Sequence, residues 1–144
     1  MINFISDYKK YKNSIVDLQT TNESFLRLAS VYKKMGIENN VFHLTLLQPE
    51  LQGVDPFSTE LTQEQKVMIT MECKYNPWYF LREVVRIPPQ SGNTPVPYIA
   101  NRGNIALTWC FFNHIDFALI QPRQTGKSVS TDLSLIHISE PTRP

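Results

Sequence analysis

Gln121-Pro122-Arg123-Gln124-Thr125-Gly126-Lys127-Ser128 follows the apolar run Phe117-Ala118-Leu119-Ile120, and the pair reads as a strand entering a phosphate-binding loop whose first glycine is replaced by glutamine. Such a loop works because backbone N–H groups converge on phosphate oxygens at a helix N-terminus, where unpaired donors and the positive dipole end already favour an anion. Gly126 allows close backbone approach. Lys127 is placed to reach β- and γ-phosphate oxygens as a point charge, and the Ser128 hydroxyl to ligate a magnesium ion between them. A Gly-Lys-Ser/Thr tripeptide alone arises by chance in about one chain in ten or twenty of this length. The added weight comes from context, because the motif needs a buried strand before it and a helix after it, and Ile115 to Ile120 has that short apolar character.

The last twelve residues, Leu133-Ser134-Leu135-Ile136-His137-Ile138-Ser139-Glu140-Pro141-Thr142-Arg143-Pro144, match a tagmentation sequencing adaptor read in frame. They are therefore read as a non-native tail and excluded from fold reasoning. The natural sequence is then expected to be interrupted at Asp132, one turn into the helix that the loop opens. Leaving the tail out removes one Arg, one Glu and one His, so the formal net charge stays at +1. A near-neutral segment carries no electrostatic footprint of nucleic-acid binding. Cys73 and Cys110 are isolated, with no Cys/His cluster, which argues against structural zinc or a disulfide framework and reads as two core thiols. No run of about eighteen apolar residues occurs, and the N-terminus lacks the apolar core of a signal peptide, so a soluble intracellular protein without membrane contact is expected. With 42 % hydrophobic and 11 % aromatic residues the composition is globular.

Working back from the octet, Asn101 is placed to cap a helix from about Arg102 to Asn113, whose Ile105, Leu107, Trp109, Phe111 and Phe112 predict burial around much of its circumference. The stretch Ile87 to Pro97 holds four prolines and a glycine in eleven residues and is expected to be a loop without regular structure. Asn76-Pro77 ends one helix and starts another carrying Trp78, Tyr79, Leu81 and Val85. The preceding helix is predicted to begin at a capping box, Thr62-Gln63-Glu64-Gln65, and a second box, Thr20-Thr21-Asn22-Glu23, to open an amphipathic helix with Phe25, Leu28, Ala29, Tyr32 and Met35 inward and Gly36 at its end. Arg27, Lys33 and Lys34 read as solvated charges. Val41 to Leu47 fits a short buried helix or a strand, and His43, with no second ligand nearby, a core or surface histidine. Tyr75, Trp78, Tyr79 and Phe80 read as packing aromatics, with a base-stacking wall as the alternative.

The octet, with Arg123 and Gln124 inside the loop, resembles the deviant phosphate-binding loop of tailed-phage terminase large subunits, the DNA-packaging motors. The stretch Tyr75-Asn76-Pro77-Trp78-Tyr79-Phe80-Leu81-Arg82-Glu83-Val84-Val85-Arg86-Ile87-Pro88, followed by Arg102-Gly103-Asn104 and an apolar helix, is similar to the entry into that ATPase in some large-genome phages. The similarity covers about Glu50 to Asp132. It implies an α/β architecture in which a mainly helical N-terminal region, residues 1–74, leads into the start of a RecA-like P-loop ATPase domain, residues 75–132, with residues 133–144 as the non-native tail. It also implies ATP and Mg2+ as cofactors and a nuclease domain further along the natural protein. The implied partners are double-stranded DNA, a portal protein, a small terminase subunit and further copies in a homo-oligomeric ring, and the implied place is the host cell cytoplasm.

Carried over by position, Gln121, Pro122, Arg123, Gln124, Thr125, Gly126, Lys127 and Ser128 cradle the nucleotide, with Arg123 and Lys127 as the catalytic pair and Ser128 as the metal ligand. Arg123 is suited to hydrogen-bonding the γ-phosphate through its fork of donors and reporting its loss; its bland role is an ion pair with a nearby carboxylate. Terminases commonly read adenine with a glutamine upstream of the loop, and Asn104, preceded by Arg102, falls near that position. That departs from the pattern, and Asn104 equally suits the first turn of a helix for capping reasons. Two alternatives stand beside the terminase: a helicase-like or other RecA-like ATPase, and a helical interaction protein with an accidental octet. The residue activating the attacking water belongs after a second strand, so the 144-residue chain is expected not to turn over ATP by itself.

Overall fold

The computed structural model describes residues 14–89, 91–118 and 120. They form a mixture of helices and two small antiparallel sheets, in two compact units that part between Ile99 and Ala100.

In the first unit, β1 (Ile15–Val16) pairs antiparallel with β2 (Thr45–Leu46), and α1 (Glu23–Lys34) lies between them in sequence. The apolar face of α1 buries Phe25, Leu28 and Tyr32, while Met35 is exposed and Arg27, Lys33 and Lys34 face solvent. Its C-terminus is as the glycine predicts: Gly36 sits at φ +73°, its N–H donates to Lys33 C=O, and Ile37 N–H donates to Tyr32 C=O. That pair of bonds satisfies carbonyls the helix leaves orphaned, at a conformation costly for any residue with a Cβ.

The N-terminus of α1 departs from its box. Asn22 is the cap residue and makes no side-chain capping bond. Thr20 Oγ1 donates instead to Glu83 Oε1, and accepts Asn22 N–H at 3.2 Å. The helix begins two residues later than the box expects, so the Thr20 hydroxyl accepts the N–H of the cap residue Asn22 while its proton goes to the Glu83 carboxylate, a charged acceptor that makes a strong hydrogen bond.

Both expectations for Val41 to Leu47 are partly met. A 3-10 turn, Phe42–Leu44, runs directly into β2. Phe42 stacks on Tyr32 at 5.8 Å between ring centroids and meets Trp78 edge-on at 5.2 Å. Burying each large apolar side chain contributes about 1.5–3 kcal/mol, so this aromatic cluster is a principal anchor of the unit.

α2 (Gln63–Tyr75) begins as its sequence predicts. Thr62 Oγ1 accepts Gln65 N–H at 3.1 Å, and Gln65 Oε1 accepts Thr62 N–H at 3.0 Å. The fully buried residue of α2 is a carboxylate, Glu72, which accepts the N–H groups of Leu47 at 2.8 Å and Gln48 at 3.0 Å and the Asn76 side-chain amide at 2.6 Å. Asn76 ends α2 and caps α3 (Pro77–Tyr79), accepting Tyr79 N–H at 3.3 Å.

α3 then widens into a π-helical turn, Phe80–Val84, closed by Val85 N–H donating to Phe80 C=O at 3.0 Å. The wider turn buries Leu81, Arg82 and Glu83 in succession. Trp78 and Tyr79 are core residues of this unit, Tyr79 packing with Leu46 and Leu51. Tyr75 differs from them: it is exposed, with the Lys74 ammonium 5.4 Å from its ring centroid.

The proline-rich stretch is not wholly loop. β3 (Arg86–Ile87) pairs antiparallel with β4 (Val96–Pro97). Two strands have only edges, where a proline lacking its N–H is tolerated, and the remaining prolines lie in the connection.

In the second unit, α4 (Arg102–Phe112) has the boundaries its sequence predicts, with Asn101 as N-cap and Asn113 as C-cap. Ile105, Leu107, Thr108, Trp109 and Cys110 are buried, while Phe111 and Phe112 are half-buried. The strand expected over 115–120 is not formed by residues 115–118 and 120, and Ile115, Phe117 and Ile120 are exposed. A buried parallel strand exists only when paired on its flanks, and among the described residues none pairs with it. No helix of the described residues is long and apolar enough to cross a membrane.

Candidate functional site

Gln121, Pro122, Arg123, Gln124, Thr125, Gly126, Lys127 and Ser128 lie outside the described residues. The described part of the expected site is the first turn of α4, which carries Arg102 and Asn104.

That turn is built by Asn101. Its side chain accepts Asn104 N–H at 2.9 Å, and its carbonyl accepts Ile105 N–H at 3.0 Å. Capping is therefore Asn101's work. The Asn104 carbonyl accepts the Thr108 hydroxyl at 2.9 Å, which ties the main chain of the residue on both sides. The Asn104 side chain is a different matter: the residue is 5 % exposed, and Oδ1 is buried with no hydrogen-bond partner. An unmatched buried carbonyl oxygen forfeits about 1–3 kcal/mol. An asparagine amide offers one acceptor and one donor side by side, the pattern complementary to the N6–H and N7 of adenine. Arg102 is exposed, and Gly103 is half-buried between them.

The first unit holds a polar cluster that local sequence patterns do not reveal. The Arg82 guanidinium is fully buried and donates to Glu83 Oε1 at 2.9 Å, to Asp17 Oδ2 at 3.4 Å and to His43 C=O at 3.0 Å. Asn22 Nδ2 reaches both Arg82 C=O at 3.1 Å and Tyr98 C=O at 2.9 Å. The bonds of Arg82 to Asp17 and of Asn22 to Arg82 and Tyr98 join the segment after β1, the start of α1 and the π-helical turn through partners 60 to 76 positions apart, separations at which no residue-spacing signal exists.

His43 is a core residue. Its Nε2 lies 2.9 Å from Phe25 C=O; a carbonyl only accepts, so Nε2 carries the proton and Nδ1 is left buried without a partner. Burial lowers its pKa to about 4, with the Arg82 charge acting in the same direction and the Phe25 hydrogen bond opposing. The histidine is thus neutral at pH 7. The thiols are protonated as well: Cys73 is pushed up to about 11 by burial and then by the Glu72 charge, and Cys110 is raised by burial. Neither behaves as a nucleophile. Among the described residues no group of three or more His, Cys, Asp or Glu is set to hold a metal ion.

No protein family, curated protein or solved structure matches this chain.

Proposed function

We propose that this chain is part of a terminase-like motor ATPase that binds Mg2+–ATP through Gln121 to Ser128 and drives double-stranded DNA into a procapsid. The observation that carries the proposal is the octet itself, with Arg123 inside the loop and Gly126-Lys127-Ser128 at its end, behind the apolar run to Ile120.

Lys127 neutralises the β- and γ-phosphate oxygens, and Gly126 lets backbone N–H groups approach them. Arg123 holds the γ-phosphate and loses that hydrogen bond when phosphate departs, which is the event a motor couples to movement. Ser128 would help to hold a magnesium ion, which when bound would supply charge neutralisation to the phosphates. Catalysis is positioning and electrostatic stabilisation of an in-line attack by water, oriented by a carboxylate at the end of a further strand of a RecA-like sheet. DNA, a portal ring, a small subunit and further copies of the motor are the partners this function requires, in the host cytoplasm.

Sequencing the same gene past the codon for Asp132 tests the proposal. A terminase continues into an apolar strand ending in Asp-Glu and later into spaced carboxylates able to hold two metal ions. Helicase motifs there, or no second acidic strand, would overturn it.

A further inference from the structure

α2 is apolar on two sides. Met68, Ile69 and Cys73 pack toward Leu46, Leu51 and Tyr79 of the core, while Val67 and Met71 are 54 % and 42 % exposed. Glu64 and Lys74 are exposed as well. At about 100° per residue, Glu64, Val67, Met71 and Lys74 fall along one stripe of the helix, and their spacing of three, four and three residues is that of the seam positions of a coiled coil. Thr70, beside the stripe, donates its hydroxyl to Lys66 C=O at 2.8 Å, so it brings no unpaired donor to this face.

Two exposed apolar side chains are ordinary on a protein surface; the order of the charges around them is what selects a partner. Read from the helix N-terminus, the stripe runs acidic, apolar, apolar, basic. Among the described residues neither Glu64 nor Lys74 forms an ion pair. A second α2 laid antiparallel on the stripe sets Val67 against Met71 of the second copy and Glu64 against its Lys74, and two-fold symmetry repeats both contacts. A parallel second copy opposes Glu64 to Glu64 and Lys74 to Lys74, so like charges exclude that arrangement. The face is therefore complementary to itself in one orientation.

We propose that two copies of this chain pair through α2, antiparallel about a two-fold axis, with Val67 and Met71 packed at the centre and Glu64 paired with Lys74 at each end. A helix of this length spans about 20 Å, so the seam is short and buries less than the roughly 1,200 Å2 of the smaller stable interfaces. The dimer is accordingly weak and reversible. Both copies use the same surface, which closes the pair; a ring needs a different, head-to-tail contact. The pairing involves neither the octet nor α4.

Sedimentation equilibrium of the 144-residue chain tests the pairing. A monomer–dimer equilibrium with its midpoint between about 10 µM and 1 mM is expected for so small an interface. Glu64→Lys and Lys74→Glu each turn both end contacts into like-charge ones, and each variant alone is expected to dimerise at least about tenfold more weakly. An equal mixture of the two variants restores opposite charges at both ends of the mixed pair, and is expected to associate within about threefold of the original affinity. Val67→Gln keeps every charge and removes apolar contact from the centre; it is expected to weaken the dimer about tenfold, and carries the test should a charge variant fail to fold. A monomer throughout that concentration range, a mixture no more associated than either variant alone, or unchanged dimerisation in Val67→Gln overturns the proposal. Lys127→Ala is expected to leave the dimer unchanged, so failure of the nucleotide reading and failure of this one are separable.

Discussion

The Arg82 guanidinium lies 3.4 Å from the Asp17 carboxylate, which comes 65 positions earlier in the chain, and both side chains are buried. Removing one member of a buried ion pair leaves the other charged and unsolvated, which costs about 3–5 kcal/mol. Arg82→Met strands two carboxylates, Asp17 and Glu83, and also vacates a donor to His43 C=O. The expected result is a drop in urea-denaturation stability of that order, with Asp17→Asn losing less because a neutral amide still accepts from Arg82. A loss below about 1 kcal/mol for Arg82→Met would show that the cluster does not hold β1 to the π-helical turn.

Acid should weaken the first unit through His43. Its folded-state pKa of about 4 lies below the ordinary 6.5, so the unfolded chain takes up a proton at a pH where the folded one does not. Stability from this group is fully present above pH 6.5 and is lost as pH falls from 6.5 to 4, by roughly 3 kcal/mol in all. Chemical denaturation at a series of pH values measures it. His43→Gln, which keeps a donor for Phe25 C=O, is expected to flatten that part of the profile.

Two threonines that look alike in sequence should respond differently to truncation. Thr62→Ala removes a working cap at a solvent-exposed helix start, costing about 1 kcal/mol and speeding amide exchange in the first turn of α2. Thr20→Ala leaves a buried Glu83 oxygen and the Asn22 N–H short of a partner, costing about 1–3 kcal/mol and perturbing exchange near Arg82 as well as in α1. Equal, local effects from both substitutions would contradict the geometry.

The contrast between these residues shows what sequence can carry. The Thr62 box, the Gly36 terminus, the Asn76-Pro77 break and the Asn101 cap are legible because each is decided within about five residues. The Thr20 box misleads because the helix starts only after Asn22, which leaves the Thr20 hydroxyl ahead of the cap, accepting Asn22 N–H and donating to Glu83, 63 positions away. Buried Glu72 and Arg82 look like surface charges until the partners that surround them are known. At Ile115 to Ile120 the apolar character points to a strand, but pairing is a property of the neighbours. In the candidate site, Asn104 is legible as a first-turn residue; its unmatched amide oxygen is visible only once Asn101 is seen to do the capping.

The most direct test of nucleotide binding through the octet is the affinity of the protein for Mg2+–ATP, compared with its Lys127→Ala variant by isothermal titration. Loss of the lysine's charge-assisted bonds to two phosphates is expected to weaken binding by about a hundredfold or more. The same affinity in both proteins would contradict a phosphate-binding role for Lys127, and with it the motor.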